Sequence, residues 1–95
     1  MSSQEKLSTI QDYLQAEFPG SKIEFKYEPR EKVHKFKVVI EGKSHHAIVP
    51  DTFLIACRES EITDTLKEFT LAEHLRELGS MPVIVAPEGL KLEGD

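Results

Sequence analysis

Apolar and charged residues alternate in two segments, Ile23-Glu24-Phe25-Lys26-Tyr27 and Phe36-Lys37-Val38-Val39-Ile40, and a third apolar segment, Ala47-Ile48-Val49, follows closely. A period of two sends successive side chains to opposite faces of a sheet, so the first two segments each have a dry side and a wet side. A helix does not satisfy that pattern. The stretch from Lys22 to Pro50 is therefore predicted to form three antiparallel strands, with Pro29-Arg30-Glu31-Lys32 as the first turn and Gly42 in the second. Ile23, Phe25 and Tyr27 are expected to face a core, as are Phe36, Val38 and Ile40. Lys35, Lys37 and Val39 take the other face. The register of the second hairpin stays open. A two-residue loop sets His45, Ala47 and Val49 opposite the core residues, and a three-residue loop sets His46 and Ile48 there.

Helical spacing appears on either side of these strands. Leu7, Ile10, Leu14 and Phe18, with Tyr13 beside them, recur on one face and predict a helix from about Ser3 to Phe18. Ser2 and Glu5 have capping-box spacing at its start, and Pro19-Gly20 ends it. After Pro50, Asp51 is placed to cap a short helix containing Phe53, Leu54, Ala56 and Cys57. Ile62, Leu66 and Phe69, then Leu71, Leu75 and Leu78, continue in helical phase up to Gly79. Thr70 and Glu73 form a second capping-box pair, which predicts a kink or a new helix at that point. Pro82-Val83-Ile84-Val85-Ala86 reads as a short apolar strand, and only Leu90 and Leu92 can anchor the residues after Pro87.

The expected fold class is α+β. An N-terminal helix, a three-stranded antiparallel sheet, two or three helices and a short C-terminal strand make one domain over residues 1–95, with the helices on one sheet face and 93–95 a loose tail. A chain of 95 residues is large enough to bury a single core without disulfide or metal staples. Cys57 is its only cysteine, so an intrachain disulfide is excluded. Its apolar runs are a few residues long against the roughly 20 that span a bilayer, so no membrane association is predicted. The opening Met1-Ser2-Ser3-Gln4-Glu5 leads into polar helical sequence without a basic start and apolar run, from which a cytoplasmic location is expected.

Charge is unevenly distributed. Seven lysines and arginines meet four glutamates over residues 22–46, whereas residues 47–95 hold ten acids and four bases; the whole chain carries a net charge of -5. Lys22, Lys26, Lys35 and Lys37 alternate outward on adjacent strands, sharing their face with Glu24 and Glu28. Such a face suits an acidic protein or phosphate groups. The acids among it, and the lack of an outward aromatic residue for stacking on bases, weigh against nucleic acid.

Histidine is the other residue type with chemistry to offer. His34, His45 and His46 share one hairpin, and His74 lies on a late helix. Adjacent residues of a strand point to opposite faces, so His45 and His46 cannot chelate one ion together. His34 is opposite the region of Val49 to Asp51 in any plausible register, several residues from the other two. Gly42-Lys43-Ser44 resembles the end of a phosphate-binding P-loop, but Lys37 stands where the motif needs its first glycine and the segment leads into a strand. Cys57 sits in the apolar run Phe53 to Cys57 and reads as a structural thiol.

The order helix, three strands, helix resembles that of double-stranded-RNA-binding domains, whose second helix begins with lysines; here that position is Asp51-Thr52-Phe53-Leu54. The segment from His34 to Ser44 is similar to the hairpin of BolA-type proteins, which runs into a basic, histidine-bearing helical turn; here it runs into His45-His46-Ala47-Ile48-Val49. Neither resemblance carries a functional residue onto this chain.

The expectation is thus a protein-interaction or regulatory domain without catalytic residues, cofactor or metal. It would bind a protein partner or itself through the open sheet face or an edge strand. The expected surface comprises Lys22, Lys26, Lys35, Lys37, Val39, Lys43, His45 and His46. Nucleic-acid binding through the lysines is the alternative, and a metal or acid-base site around His45 or His46 with His74 is the second alternative.

Overall fold

The computed structural model describes the backbone of residues 2–92 and the side chains of residues 4–92. The elements run α1 (Ser2–Glu17), β1 (Lys22–Glu28), β2 (Val33–Ile40), β3 (Lys43–Pro50), α2 (Asp51–Ala56), α3 (Glu59–Glu68), α4 (Leu71–Leu78), β4 (Val83–Ala86) and β5 (Gly89–Leu92). The class is α+β, as expected, but the sheet has five strands in the order β1-β2-β3-β4-β5 instead of three. The apolar segment 83–86 joins the main sheet parallel to β3, with Ala47 beside Val83. A parallel neighbour cannot be reached by a tight turn, and α2, α3 and α4 form the crossover. Strand β5 escapes sequence reading because four residues behind Pro87 carry too little pattern; Leu90 and Leu92 anchor it against the core as half-buried residues.

The second hairpin has a two-residue turn, Glu41-Gly42, with Ile40 paired to Lys43. Both turn residues have positive φ, 52° at Glu41 and 76° at Gly42, which is the backbone twist that joins two strands most closely. This turn settles the open register. Val38 pairs with His45, Phe36 with Ala47 and His34 with Val49, so His45 faces the helices and His46 faces away.

The core gathers Phe36 and Val38 of β2, Ala47 and Val49 of β3, and Val83 and Val85 of β4 against Ile10, Leu14, Phe53, Ile62, Leu66 and Leu75. Burying each large side chain of this kind contributes about 1.5–3 kcal/mol. Expectation and structure part at β1. Phe25 and Tyr27 share the helix-facing side, yet 47% and 40% of their surfaces are exposed. The helices cover the central strands, and β1 lies beyond them at the sheet edge, so alternation identifies the correct face but not its cover.

Helix α4 starts in an unusual way. Thr70 does not act as the expected cap: its backbone is left-handed (φ 52°, ψ 45°) and its side chain makes no capping bond. The hydroxyl donates instead to the carbonyl of Phe69 at 2.6 Å and lies 3.1 Å from Nδ1 of His74. The free amide in the first turn of α4 is satisfied from a distance in sequence, by Ala72 N–H donating to the Tyr13 hydroxyl at 3.2 Å. Asp51 likewise is not a cap: Pro50 holds that position at α2, and the Asp51 carboxylate turns toward β1 and β2. The Ser2 side chain of the first expected capping box, and the tail 93–95, lie outside the described residues.

Arg76 fastens the two helical ends together. It donates to the carbonyl of Glu17 at 2.6 Å, lies 3.5 Å from the Glu17 carboxylate, and rests 4.9 Å above the Phe18 ring. Replacing Tyr13 with Phe keeps the buried ring but strands the Ala72 amide. Tyr13→Phe is therefore expected to lower unfolding free energy in urea by about 1–3 kcal/mol, whereas a change under 0.5 kcal/mol, roughly, would show that the amide finds another partner.

Candidate functional site

The open face of the sheet is built in rows by the strand register. Glu24, Lys37 and His46 form one row across β1, β2 and β3; Lys26, Lys35 and Ile48 form the next; Lys22, Val39 and Ser44 form the one nearest the hairpin turn. A shallow depression of about 430 Å³ is lined by Glu24, Phe25, Lys26, Lys35, Lys37 and His46. Lys26 stands opposite Lys35, so two like charges meet with no acid between them, whereas Lys37 stands opposite Glu24.

Lys43 and His45 stand on the other face. They line a second depression of about 360 Å³ with Phe18, Ile40, Glu41, Arg76 and Gly79. His45 is buried there and stacks on Phe18, with ring centroids 5.4 Å apart. Its Nδ1–H donates to the carbonyl of Gly79 at 2.9 Å, which holds the end of α4 to the sheet. The eight residues expected to form one surface are thus divided: Lys22, Lys26, Lys35, Lys37, Val39 and His46 on the open side, Lys43 and His45 on the helix side. His74 is occupied within its own helix by the Thr70 carbonyl, 2.9 Å from Nδ1. Among the described residues no group of three or more His, Cys, Asp or Glu side chains is placed to hold a metal ion.

A cluster that the sequence did not single out lies at the edge. His34 is 8% exposed and its Nε2–H donates to Asp51 Oδ1 at 2.8 Å; the Tyr27 hydroxyl donates to Oδ2 of the same carboxylate at 3.3 Å. The His34 ring lies between two aromatics of β1, 5.7 Å from Phe25 and 4.6 Å from Tyr27. Among the described residues its Nδ1 is the buried side-chain polar atom without a hydrogen-bond partner. The signal that could have found this cluster was present: any plausible register set His34 near Asp51, and Tyr27 is its cross-strand partner. The arrangement ties the edge strand to the start of α2 through one carboxylate and leaves the outer flanks of Phe25 and Tyr27 uncovered.

No family model, curated protein or solved structure matches this chain. Among the described residues no helix is long and apolar enough to cross a membrane.

The Tyr27 phenol is held above its ordinary value of 10.0, first by desolvation and then by the negative Asp51 carboxylate and the hydrogen bond to it. A raised phenol favours the neutral form in the fold, so its contribution is complete below pH 10.0 and is lost as pH rises through the raised value. The chain has two tyrosines, and Tyr13→Phe leaves Tyr27 as the sole phenol. In that background Asp51→Asn is expected to bring the phenolate absorbance midpoint part of the way back toward 10.0, leaving the desolvation part. An unmoved midpoint would contradict the coupling of Tyr27 to Asp51.

Proposed function

We propose that the chain is a protein-interaction module that receives an extended segment along the free edge of β1. The observation that carries this reading is the pairing of an unoccupied seven-residue edge with two half-exposed aromatics, Phe25 and Tyr27, on the same strand. An edge strand offers main-chain donors and acceptors for a further strand, and exposed aromatic rings supply the side-chain contacts that give such pairing its strength. The other edge, β5, has only four residues. In this reading the chain is not an enzyme; the His34, Asp51 and Tyr27 cluster fixes the docking strand against α2.

A second reading, nucleic-acid binding, is supported by the gathering of Lys26, Lys35, Lys37 and His46 around one depression. Phe25 also lines that depression, but its ring packs beside Phe36 and His34 on the helix-facing side, as does that of Tyr27 beside His34, so neither ring is presented among the lysines for stacking on bases.

Selection of random peptides on the immobilised domain tests the choice. Strand-compatible peptides are expected to be enriched and to lose roughly tenfold in affinity on Phe25→Ala, as loss of an aromatic anchor costs on the order of 1–2 kcal/mol. No enrichment, or peptide binding that responds to Lys37→Glu and not to Phe25→Ala, would contradict the edge reading. Binding of a short oligonucleotide that weakens steeply with salt would favour the second one.

A further inference from the structure

The segment Lys22-Ile23-Glu24-Phe25-Lys26-Tyr27-Glu28 has a symmetry about its central residue. Positions equally far from Phe25 are complementary: Glu24 with Lys26, Ile23 with Tyr27, and Lys22 with Glu28. We infer that the segment received by the β1 edge is β1 of a second copy, paired antiparallel about a two-fold axis through Phe25. This rests on the edge-docking reading given above and adds to it the identity of the partner and the register.

A two-fold axis normal to the sheet keeps each face continuous, so lysines and glutamates meet on the open side and apolar residues meet on the helix side. Phe25 then lies against its own copy, and Ile23 lies against the partner's Tyr27. These are the cross-strand pairs that stabilise sheets, aromatic with aromatic and opposite charge with opposite charge. The two half-exposed rings gain cover that the helices do not give them.

Neighbouring registers are opposed by charge. A side chain must meet one from the same face, so the smallest shifts move the centre to Glu24 or Lys26, while larger ones to Ile23 or Tyr27 match a single acid-base combination of β1, Lys22 with Glu24 or Lys26 with Glu28, and carry its other charges past the end of the strand. Centring on Glu24 sets Glu24 against itself and Lys22 against Lys26; centring on Lys26 sets Lys26 against itself and Glu24 against Glu28. Like charges directly opposite each other destabilise a strand pair. The Phe25 register alone pairs every charge with its opposite.

Within one chain the charges of β1 are incompletely matched. Lys26 stands across from Lys35, while Lys22 and Glu28 stand across from Val39 and Val33. Lys22 has Glu24 of its own strand 3.9 Å away, a contact between two exposed groups with little energy. A second copy supplies an acid to Lys26, an acid to Lys22 and a base to Glu28. The edge is thus charged, as edges that resist general aggregation are, yet charged in an order that accepts one partner.

Charge exchange tests the pairing. Glu24→Lys and Lys26→Glu alter exposed positions, and circular dichroism should show each variant folded. Wild-type mass in solution is expected to rise with concentration from 10.8 kDa toward twice that value. Each variant alone sets like charges opposite each other twice across the axis and should dimerise about tenfold more weakly. Mixing the two variants restores both oppositely charged pairs, and the mixture should associate with near wild-type strength. The inference is overturned if the wild-type chain stays at 10.8 kDa up to about 0.5 mM, if its dimer is unchanged by either substitution, or if the mixture associates no better than its components. A wild-type monomer that still binds selected peptides through Phe25 overturns self-pairing and leaves edge docking standing; one that binds no peptide overturns both.

Discussion

The two-residue turn at Glu41-Gly42 determines what each face of this sheet presents. With both residues at positive φ, Ile40 is brought opposite Lys43, and the whole of β3 takes its faces from that pairing. One residue more in the turn would exchange His45 with His46 and move Ala47 and Val49 out of the core. Positive φ at Glu41 costs about 1 kcal/mol, small against the burial of Ala47, Val49 and His45 that the register secures.

The helical layer depends on that register and also limits its own reach. Phe36, Val38, Val49, Val83 and Val85 supply a dry strip across β2, β3 and β4, and the helices seat on it. Two contacts distant in sequence close the layer: the Tyr13 hydroxyl at the start of α4, and Arg76 at the end of α1. His45 adds a third by holding the Gly79 carbonyl. On β1 this layer reaches Ile23, which packs on the core, and leaves Phe25 and Tyr27 half-exposed; that end of the strand is fastened at its rim through Tyr27, His34 and Asp51. The uncovered edge is a consequence of where the helices find their apolar strip.

Much of this was legible from period alone. Alternation identified β1 and β2 and their inward faces, and three- and four-residue spacing identified α1, α3 and α4, because each pattern is imposed by one neighbouring layer. Three features were not legible in that way. Four-residue β5 has too few alternations to declare itself, and its membership follows from pairing with β4. The Thr70-Glu73 spacing promised a cap, but the backbone at Thr70 turns left-handed and the cap comes from Tyr13, a contact that no local spacing contains. Alternation also cannot tell an inward face that is covered from one that is bare, which is why Phe25 and Tyr27 read as core. Lys22, Lys26, Lys35 and Lys37 share one sheet face, as their alternation implied, while Lys43 and His45 fall on the other once the turn length is known.

The surface left with most to offer is therefore the edge of β1, where exposed rings, an open hydrogen-bonding ladder and an ordered run of charges coincide. The proposed docking requires that backbone groups on this edge be free. In an edge strand alternate amides point toward the neighbouring strand and the rest toward solvent. Amide hydrogen exchange over β1 at low and high chain concentration reads this directly. The amides directed away from β2 are predicted to exchange rapidly in dilute solution and to become protected as concentration rises, while those bonded to β2 change little. Protection of the outward amides that is already complete in dilute monomer, or that never appears at any concentration or with any bound peptide, would contradict docking at this edge.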